Sequence, residues 1–338
     1  MLHMTRWHDA QNYFKTKTMS VIAGDIGGTK SWLVWFVQPS HQPLQIIFEQ
    51  RYESAQFADA SALLRRFMVD AGREIRPDRL CLALPGPLAS RRVALTNLDW
   101  VVDADRLSHD LAVSEVRFVN DFQAAAAGID ILHKTDYLVL NPGLLRLPAT
   151  RLITGAGTGL GVAWMQADAN GKYQTFASEG GHIDFAPANQ QQCDLLIWLQ
   201  RRYAHVSWER VLSGAGLAAL YEFSYWAASG QVAPVAQNAA QIDALARQNN
   251  SIACAAVQLF ADIYAAWIGN LILLFQPRGG LYLAGGMAIH LQSWLNTERF
   301  LQVALNKGRM AELVQSAPIY LVTNPRLGVQ GAMQIALG

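Results

Sequence analysis

The alternation of apolar and polar residues at the start of the chain predicts a strand, a tight turn and a second strand. Residues 21–23 are apolar, residues 24–29 read Gly-Asp-Ile-Gly-Gly-Thr, and residues 31–37 are rich in Trp, Val and Phe. Such runs on either side of a glycine-rich turn are typical of a β-hairpin. A third apolar run at 44–48 and helical spacing of apolar residues over 57–74 extend the pattern to βββα.

Two further strands complete the first predicted sheet. Residues 80–84 are apolar and are followed by Pro-Gly-Pro, and residues 116–119 lead into Asn120-Asp121 and an alanine-rich helix over 122–129. The first part of the chain is therefore predicted to be a mixed sheet with helices.

A similar pattern then begins again. Strands are predicted at 137–140, 152–154 and 161–165, with a hairpin around Asn170-Gly171. Long helices at 194–203, 214–226 and 252–274 follow, broken by a strand at 281–283. Two similar α/β units would leave a cleft between them, where ligands usually bind.

Composition points to a globular protein that acts on a small molecule. The 338 residues are 51% hydrophobic and 16% charged, and 27 Lys and Arg nearly balance 26 Asp and Glu. This composition excludes intrinsic disorder, and the sequence contains no run of basic residues that would bind nucleic acid or membrane lipid. Three widely spaced cysteines without a CxxC motif indicate a reduced, cytoplasmic chain rather than a disulfide framework or zinc site.

No membrane span or secretion signal is expected. The longest apolar stretch, residues 264–275, is shorter than the ~20 residues that cross a bilayer. Residues 1–18 are polar, lack the apolar core of a signal peptide, and are interpreted as an N-terminal tail.

The first glycine-rich turn has the chemistry of a phosphate site. Gly27 and Gly28 would let backbone N–H groups approach a phosphate, Thr29 can donate a hydroxyl hydrogen bond, and Asp25 can hold water bound to Mg²⁺. An ordinary hairpin with a solvated aspartate explains this turn equally well.

The second glycine-rich turn follows an apolar strand and contains Gly155, Gly157, Thr158 and Gly159. It lacks the Gly-Lys-Ser/Thr of a P-loop, and the chain continues as a strand, unlike a Rossmann fingerprint. A second phosphate-binding hairpin fits better than a flexible linker, because apolar β segments flank it on both sides.

The two hairpins, followed by Leu283-Ala284-Gly285-Gly286, resemble the superfamily of sugar kinases, heat-shock chaperone ATPases and actin. The resemblance implies an α/β, two-lobed, ribonuclease H-like fold with a cleft between the lobes. It also implies that the hairpins hold the phosphates of a nucleotide, with Gly285 and Gly286 beside the adenosine.

Three further segments carry polar side chains suited to a sugar, whose hydroxyls both donate and accept hydrogen bonds. They are Phe-Val-Asn-Asp-Phe at 118–122, Ser-Glu-Gly-Gly-His-Ile-Asp-Phe at 178–185, and the stretch 205–214 with Glu209. Taken singly, His182 reads as a structural residue, Glu209 as a first-turn carboxylate, and Asn120-Asp121 as a helix cap. Their joint occurrence, in order and with both hairpins, favours a sugar site.

These segments closely resemble bacterial glucokinases of the hexokinase-like, non-ROK group, over nearly the whole chain from about Ser20. The resemblance implies ATP-dependent transfer of a phosphoryl group to the 6-hydroxyl of glucose, with Asp121 as base. It implies Mg²⁺ supplied with the nucleotide and held by Asp25 through water, lobe closure around glucose, and a homodimer. The sugar-binding positions that it implies are Asn120, Glu179, His182, Glu209 and Asn97.

The same resemblance predicts a small domain of residues 19–131 plus about 321–338, and a large domain of 132–320. Lys30-Ser31-Trp32 depart from the family's usual Asn-Ala-Arg, which removes a charge at Trp32. Two alternatives stay open: a kinase for another hexose such as mannose, fructose or an N-acetylated sugar, and a glucose sensor without efficient transfer.

Overall fold

The computed structural model describes residues 19–39, 43–72, 77–88, 90–95, 98–233, 235 and 237–338. The predicted tail, residues 1–18, lies outside this range. The chain divides into two compact units. Unit 1 runs up to Asp130 and resumes over Arg326–Gly338, and unit 2 is Ile131–Pro325.

The strands are β1 (Met19–Ile26), β2 (Lys30–Gln38), β3 (Gln45–Glu53), β4 (Arg79–Leu84), β5 (Arg92–Ala94), β6 (Val101–Asp103), β7 (Glu115–Asn120), β8 (Tyr137–Asn141), β9 (Arg151–Ala156), β10 (Leu160–Ala167), β11 (Tyr173–Ser178), β12 (Leu281–Ala284) and β13 (Ile319–Val322). The helices are α1 (Ala60–Asp70), α2 (Ala104–Leu111), α3 (Asp121–Gly128), α4 (Gln190–Gln200), α5 (Trp208–Val211), α6 (Gly214–Ser229), α7 (Ala239–Arg247), α8 (Ser251–Phe275), α9 (Gly286–His290), α10 (Gln292–Leu295), α11 (Glu298–Leu305), α12 (Ala311–Gln315) and α13 (Leu327–Leu337). The βββα start and the Asn170-Gly171 hairpin between β10 and β11 are confirmed.

Unit 1 is built on a five-stranded mixed sheet of order β3-β2-β1-β4-β7. Successive side chains of a strand point to opposite faces, so each central strand contributes to two cores. On one face Ile22 and Trp35 pack with α1 and α2. On the other face Ala23 and Val34 pack with α3 and α13. The continuous apolar runs in the sequence follow from this coverage on both faces.

Helices α3 and α13 cross on the second face at a distance that only glycine permits. A Cβ on Gly331 would overlap the carbonyl oxygen of Ala124, and one on Gly128 would overlap that of Leu327. The last helix of the chain is therefore fixed directly against the helix that follows β7.

Unit 2 is built on a six-stranded sheet of order β11-β10-β9-β12-β13-β8. β9 and β10 form an antiparallel hairpin, whereas β9, β12 and β13 run parallel to one another. The predicted return to the small domain at about residue 321 falls inside β13, which pairs with β12 and β8. Because those strand hydrogen bonds belong to unit 2, unit 1 resumes at Arg326 instead.

The core of unit 2 is organised around α8. Within the described part of the chain, α8 is the one helix long and apolar enough to cross a membrane. However, 78% of its apolar window is buried inside the unit, as in the core helix of a globular domain. The apolar stretch 264–275 is the second half of this 25-residue helix.

We expect Gly331→Ala to destabilise the protein by about 3 kcal/mol or more, because the added methyl would force α3 and α13 apart. Urea unfolding followed by circular dichroism measures the loss. Gln334→Ala, at an exposed position of the same helix, is the matched control and should change the unfolding free energy by less than about 0.5 kcal/mol. Equal stabilities of the two variants would contradict the close crossing.

Candidate active site

The first glycine-rich turn joins β1 to β2 and is held from behind by Ser54. The Gly27 N–H donates to the Lys30 carbonyl over 3.0 Å, which closes the turn. Ser54 is fully buried; its N–H donates to the Thr29 carbonyl over 2.9 Å and its Oγ donates to the Gly27 carbonyl over 2.8 Å. The Ser31 hydroxyl completes the set, 2.9 Å from the Ser54 Oγ. The turn is thus anchored by a residue that follows β3, which sequence reasoning missed.

Asp25 lies one residue before the end of β1, at the edge of this turn. Burial raises the pKa of Asp25 to about 6, and the positive charge of Arg51 acts in the opposite direction. A Cβ on Gly328 would overlap the Asp25 carboxylate, so the first turn of α13 lies directly against it. Within the described residues no hydrogen bond reaches this carboxylate, and its oxygens keep their capacity to accept.

Trp32, the departure from the family's usual residues, lies directly opposite Asp25 across the β1–β2 pair. Its indole Nε1 donates to Glu49 over 2.7 Å, and Glu49 also pairs with Arg326 at 2.6 Å. The Arg51 guanidinium lies 5.3 Å from the centre of the Trp32 ring, in a cation–π arrangement. The positive charge of Arg51, on β3, therefore lies next to Trp32.

Asn120 and Asp121 occupy the junction between β7 and α3. The Asn120 side chain caps α3, because its Oδ1 accepts from the backbone N–H groups of Phe122 and Gln123 at 3.0 and 3.1 Å. Its Nδ2 donates to the Gly86 carbonyl over 3.2 Å, which ties the Pro-Gly-Pro turn to the same point. The predicted capping role is confirmed. Asp121 is the first residue of the helix, in a half-buried position.

The second glycine-rich turn joins β9 to β10 in unit 2. The Gly157 N–H donates to the Gly159 carbonyl over 2.8 Å, and Thr158 lies at the tip. Gly155 is not in the turn itself: it lies within β9, paired with Gly161 on one side and Ala284 on the other. The turn proper therefore begins after Ala156.

Gly285 and Gly286 lie beside the base of this turn. Gly285 has a φ of 88° and precedes α9, and a Cβ at this position would lie 2.7 Å from the Ala156 carbonyl oxygen. A residue with a side chain would be strained there in both conformation and space. The structure thus places Gly285 against the end of β9, directly before the β9–β10 turn.

Glu179, His182 and Glu209 form one cluster in unit 2. His182 Nε2 is 3.8 Å from Glu179, and His182 Nδ1 is 3.9 Å from Glu209 Oε1. Glu209 Oε2 accepts a hydrogen bond from the Leu160 N–H over 2.8 Å, at the start of β10. Three side chains from separate segments of the sequence therefore converge next to the β9–β10 turn.

A short ladder fixes the backbone of this cluster. The Phe185 N–H donates to the Val206 carbonyl and the Trp208 N–H to the Ile183 carbonyl, at 2.9 and 3.0 Å. His205 and Asp184 close the ladder with a 3.0 Å contact between their side chains. The segment with His182 and the segment with Glu209 are therefore joined backbone to backbone. Asn97, the remaining predicted sugar contact, lies outside the described residues.

Comparison with known proteins decides the family. A sequence model of the glucokinase family matches residues 22–337. The chain is 37% identical over 333 residues to a glucokinase of Trichormus variabilis, with 92% of this chain and 97% of that protein covered. This chain belongs to the glucokinase family. It is therefore an enzyme, an ATP-dependent kinase of glucose, as its motifs predicted.

Solved structures of the glucokinase family have the same fold. A glucokinase from an Antarctic psychrotroph superposes with a TM-score of 0.78 at 30% identity, covering 95% of this chain and 98% of its own. The glucokinase of Balamuthia mandrillaris in complex with glucose gives a TM-score of 0.80 at 20% identity, with 98% and 99% covered. The predicted fold class, that of the two-lobed sugar kinases, is confirmed.

We expect Ser54→Ala to raise the KM for ATP about threefold to tenfold and to lower stability by about 1–2 kcal/mol. The alanine leaves the Gly27 carbonyl without its buried donor and so loosens the first turn. Steady-state kinetics at saturating glucose measure the change. Ser90→Ala is the matched control, because Ser90 is exposed and, among the described residues, its side chain bonds to Arg92 alone. An equal rise in KM there would refute the anchoring role.

Proposed function

We propose that Asp121 is the catalytic base of this kinase. Its carboxylate accepts the proton of the glucose 6-hydroxyl as that oxygen bonds to the γ-phosphorus of ATP, and the bond from the γ-phosphorus to ADP breaks. The observation that supports this role is the strand-to-helix junction, where the capped α3 and the Asn120 contact to Gly86 hold Asp121 in a half-buried position. In phosphoryl transfer the protein mainly positions the reactants and neutralises charge, and a rigid junction serves that need.

The sugar is held, on this proposal, by Asn120, Glu179, His182 and Glu209, with Asn97 as a further contact. The Asn120 Oδ1 accepts the hydrogen bonds of the helix cap, and one of its amide N–H groups donates to the Gly86 carbonyl. The second N–H can donate to a sugar hydroxyl. The two carboxylates accept hydrogen bonds from hydroxyls, and the imidazole can donate or accept. Such a set satisfies hydroxyl groups that lose water on binding.

The phosphates of ATP are held by the two glycine-rich turns, and the adenosine lies beside Gly285 and Gly286. The N–H groups of Gly27 and Gly157 are used inside their own turns. Among the described residues, the groups left for phosphate are those of Gly28, Thr29, Thr158 and Gly159. The low steric demand of glycine lets the backbone approach the phosphate oxygens closely.

Asp25 fits the water shell of a Mg²⁺ ion. The first turn of α13 lies directly against its carboxylate, and among the described residues no hydrogen bond competes for the carboxylate oxygens. A Mg²⁺ ion bound with ATP would supply positive charge that offsets the negative charge of the phosphates. Asp25 would hold one of its waters, in keeping with the preference of Mg²⁺ to remain hydrated.

We also propose that the enzyme is a homodimer of the cytoplasm. The dimer is an expectation from the glucokinase family, and light scattering on the purified protein tests it. Cys81, Cys193 and Cys254 are free thiols, which supports a reducing compartment.

We expect Asp121→Asn to lower kcat for glucose 6-phosphate formation by about 10²- to 10⁴-fold. The asparagine Oδ1 can still accept from the Phe122 N–H, as Asp121 does at 2.9 Å, so the helix start is retained. A coupled assay with Mg²⁺ and ATP measures kcat, and mannose, fructose and N-acetylglucosamine tested alongside give the hexose preference. A kcat of the Asp121→Asn variant within about tenfold of that of the unmodified enzyme would contradict the role of Asp121 as base.

We expect kcat/KM for MgATP to fall as pH drops below about 6, where Asp25 takes up a proton. Asp25→Asn should be less active at every pH and should lack this low-pH decline.

The effect of pH on stability runs in the opposite direction to its effect on activity. Because the folded protein raises the pKa of Asp25, it favours the protonated carboxyl, and this stabilisation is lost as pH rises from about 4 through about 6. At pH 8 the asparagine variant should therefore be more stable, by about 1–3 kcal/mol. Asp105→Asn, at an exposed site, should leave the profile unchanged.

A further inference from the structure

Arg51 of β3 places a positive charge beside the first glycine-rich turn. Asp25, Trp32 and Arg51 are opposite one another in register across β1, β2 and β3. Side chains at directly opposite positions point to the same face, so all three lie on one face of the sheet. The Arg51 guanidinium reaches across to β2, where it lies 5.3 Å from the centre of the Trp32 ring. The cation therefore extends from β3 toward Asp25.

The carboxylates nearest to Arg51 along its strand are paired with other cations. Glu49, two residues before it, pairs with Arg326 at 2.6 Å, and Glu53, two residues after it, lies 3.7 Å from Lys30. Among the described residues, no ion pair or hydrogen bond involves the Arg51 side chain, which is exposed. Its five N–H donors are therefore available to an anion that arrives from solution.

We propose that Arg51 is a further phosphate-binding residue of the ATP site, and that its guanidinium, stacked on Trp32, donates to a phosphate oxygen of the nucleotide. The proposal rests on the function proposed above, in which Gly28 and Thr29 of the first turn also bind phosphate. The Asp25–Trp32 pair is the second pair from this turn, so the cation lies next to the proposed phosphate position.

The chemistry of this corner of unit 1 favours a guanidinium. Asp25 and the phosphates are both negative, and a positive charge between them offsets their repulsion. Burial raises the pKa of Asp25, and the Arg51 charge opposes that rise, which shows that the two groups interact. The planar N–H groups of arginine match phosphate oxygens, and stacking on Trp32 restricts the side chain before the ligand arrives.

Arg51→Gln tests the contact, because glutamine lacks the charge and keeps much of the side-chain length. Arg51 is exposed, so the variant should fold. Arg65→Gln is the matched control: Arg65 is also exposed, and it belongs to α1, which packs on the opposite face of the sheet. Both substitutions remove one positive charge, so an effect of net charge alone would appear in both variants.

The measurement is calorimetric titration with a non-hydrolysable ATP analogue and Mg²⁺, and separately with adenosine, which has no phosphate. We expect Arg51→Gln to weaken analogue binding about tenfold and adenosine binding less than about twofold. Arg65→Gln should change neither by more than about twofold. Unchanged analogue binding in Arg51→Gln would overturn the proposal. An equal loss for the analogue and adenosine would also overturn it, because Arg51 would then have a structural role only.

Two further variants complete the test. Arg51→Lys keeps the charge and loses the planar fork, so analogue binding should weaken only about threefold, and a loss as large as in Arg51→Gln would count against the phosphate contact. Thr29→Val removes a hydroxyl of the first turn and should weaken analogue binding about fivefold. If Thr29→Val does so but Arg51→Gln has no effect, the inference fails and the proposed phosphate site stands. If neither has an effect, both fail.

Discussion

The candidate active site of unit 1 depends on the close crossing of α3 and α13. Two glycines, Gly128 and Gly331, let the helix backbones meet where any side chain would overlap a carbonyl oxygen. α3 begins with Asp121, and the first turn of α13 lies against Asp25. The helix pair thus fixes the proposed base and the proposed metal-associated carboxylate with respect to each other. Interiors are close-packed, so a separation of the helices by even one methyl would be felt at both residues.

In unit 2, hydrogen bonds from core residues fix the strand that leads into the second glycine-rich turn. The Tyr264 hydroxyl accepts from the Ala156 N–H at 3.3 Å, just before the second turn, and Trp267 Nε1 donates to Thr154 Oγ1 at 3.1 Å. Both aromatic residues belong to α8, the buried helix of this unit. The strand that leads into the turn is therefore fixed from inside the core. The turn itself is held by the Gly214 N–H, which donates to the Gly157 carbonyl over 2.8 Å.

The neighbourhood of Trp32 shows how a charge can be supplied from a different strand. Sequence comparison with the family suggests a lost arginine, but Arg51 of β3 stacks on the Trp32 ring and acts on Asp25. Strand pairing explains this, because Asp25, Trp32 and Arg51 are opposite one another in register across β1, β2 and β3. A residue distant along the chain thus places a positive charge near Asp25.

The sequence by itself determined the features whose physics is local. Both glycine-rich turns, the βββα start and the cap at Asn120 are set by neighbouring residues, and each was identified correctly because hairpins and caps have short-range signatures. Only the tertiary structure decided the contacts between distant positions. Ser54 behind the first turn, Gly331 against Ala124, and Glu209 on the Leu160 N–H carry no local signal. The boundary between the two units at Arg326 also required the tertiary structure, because the apolar pattern of β13 predicts a strand but not the sheet to which the strand belongs. Such contacts arise when segments far apart in the chain pack at atomic distance, and pattern along the sequence does not encode which ones meet.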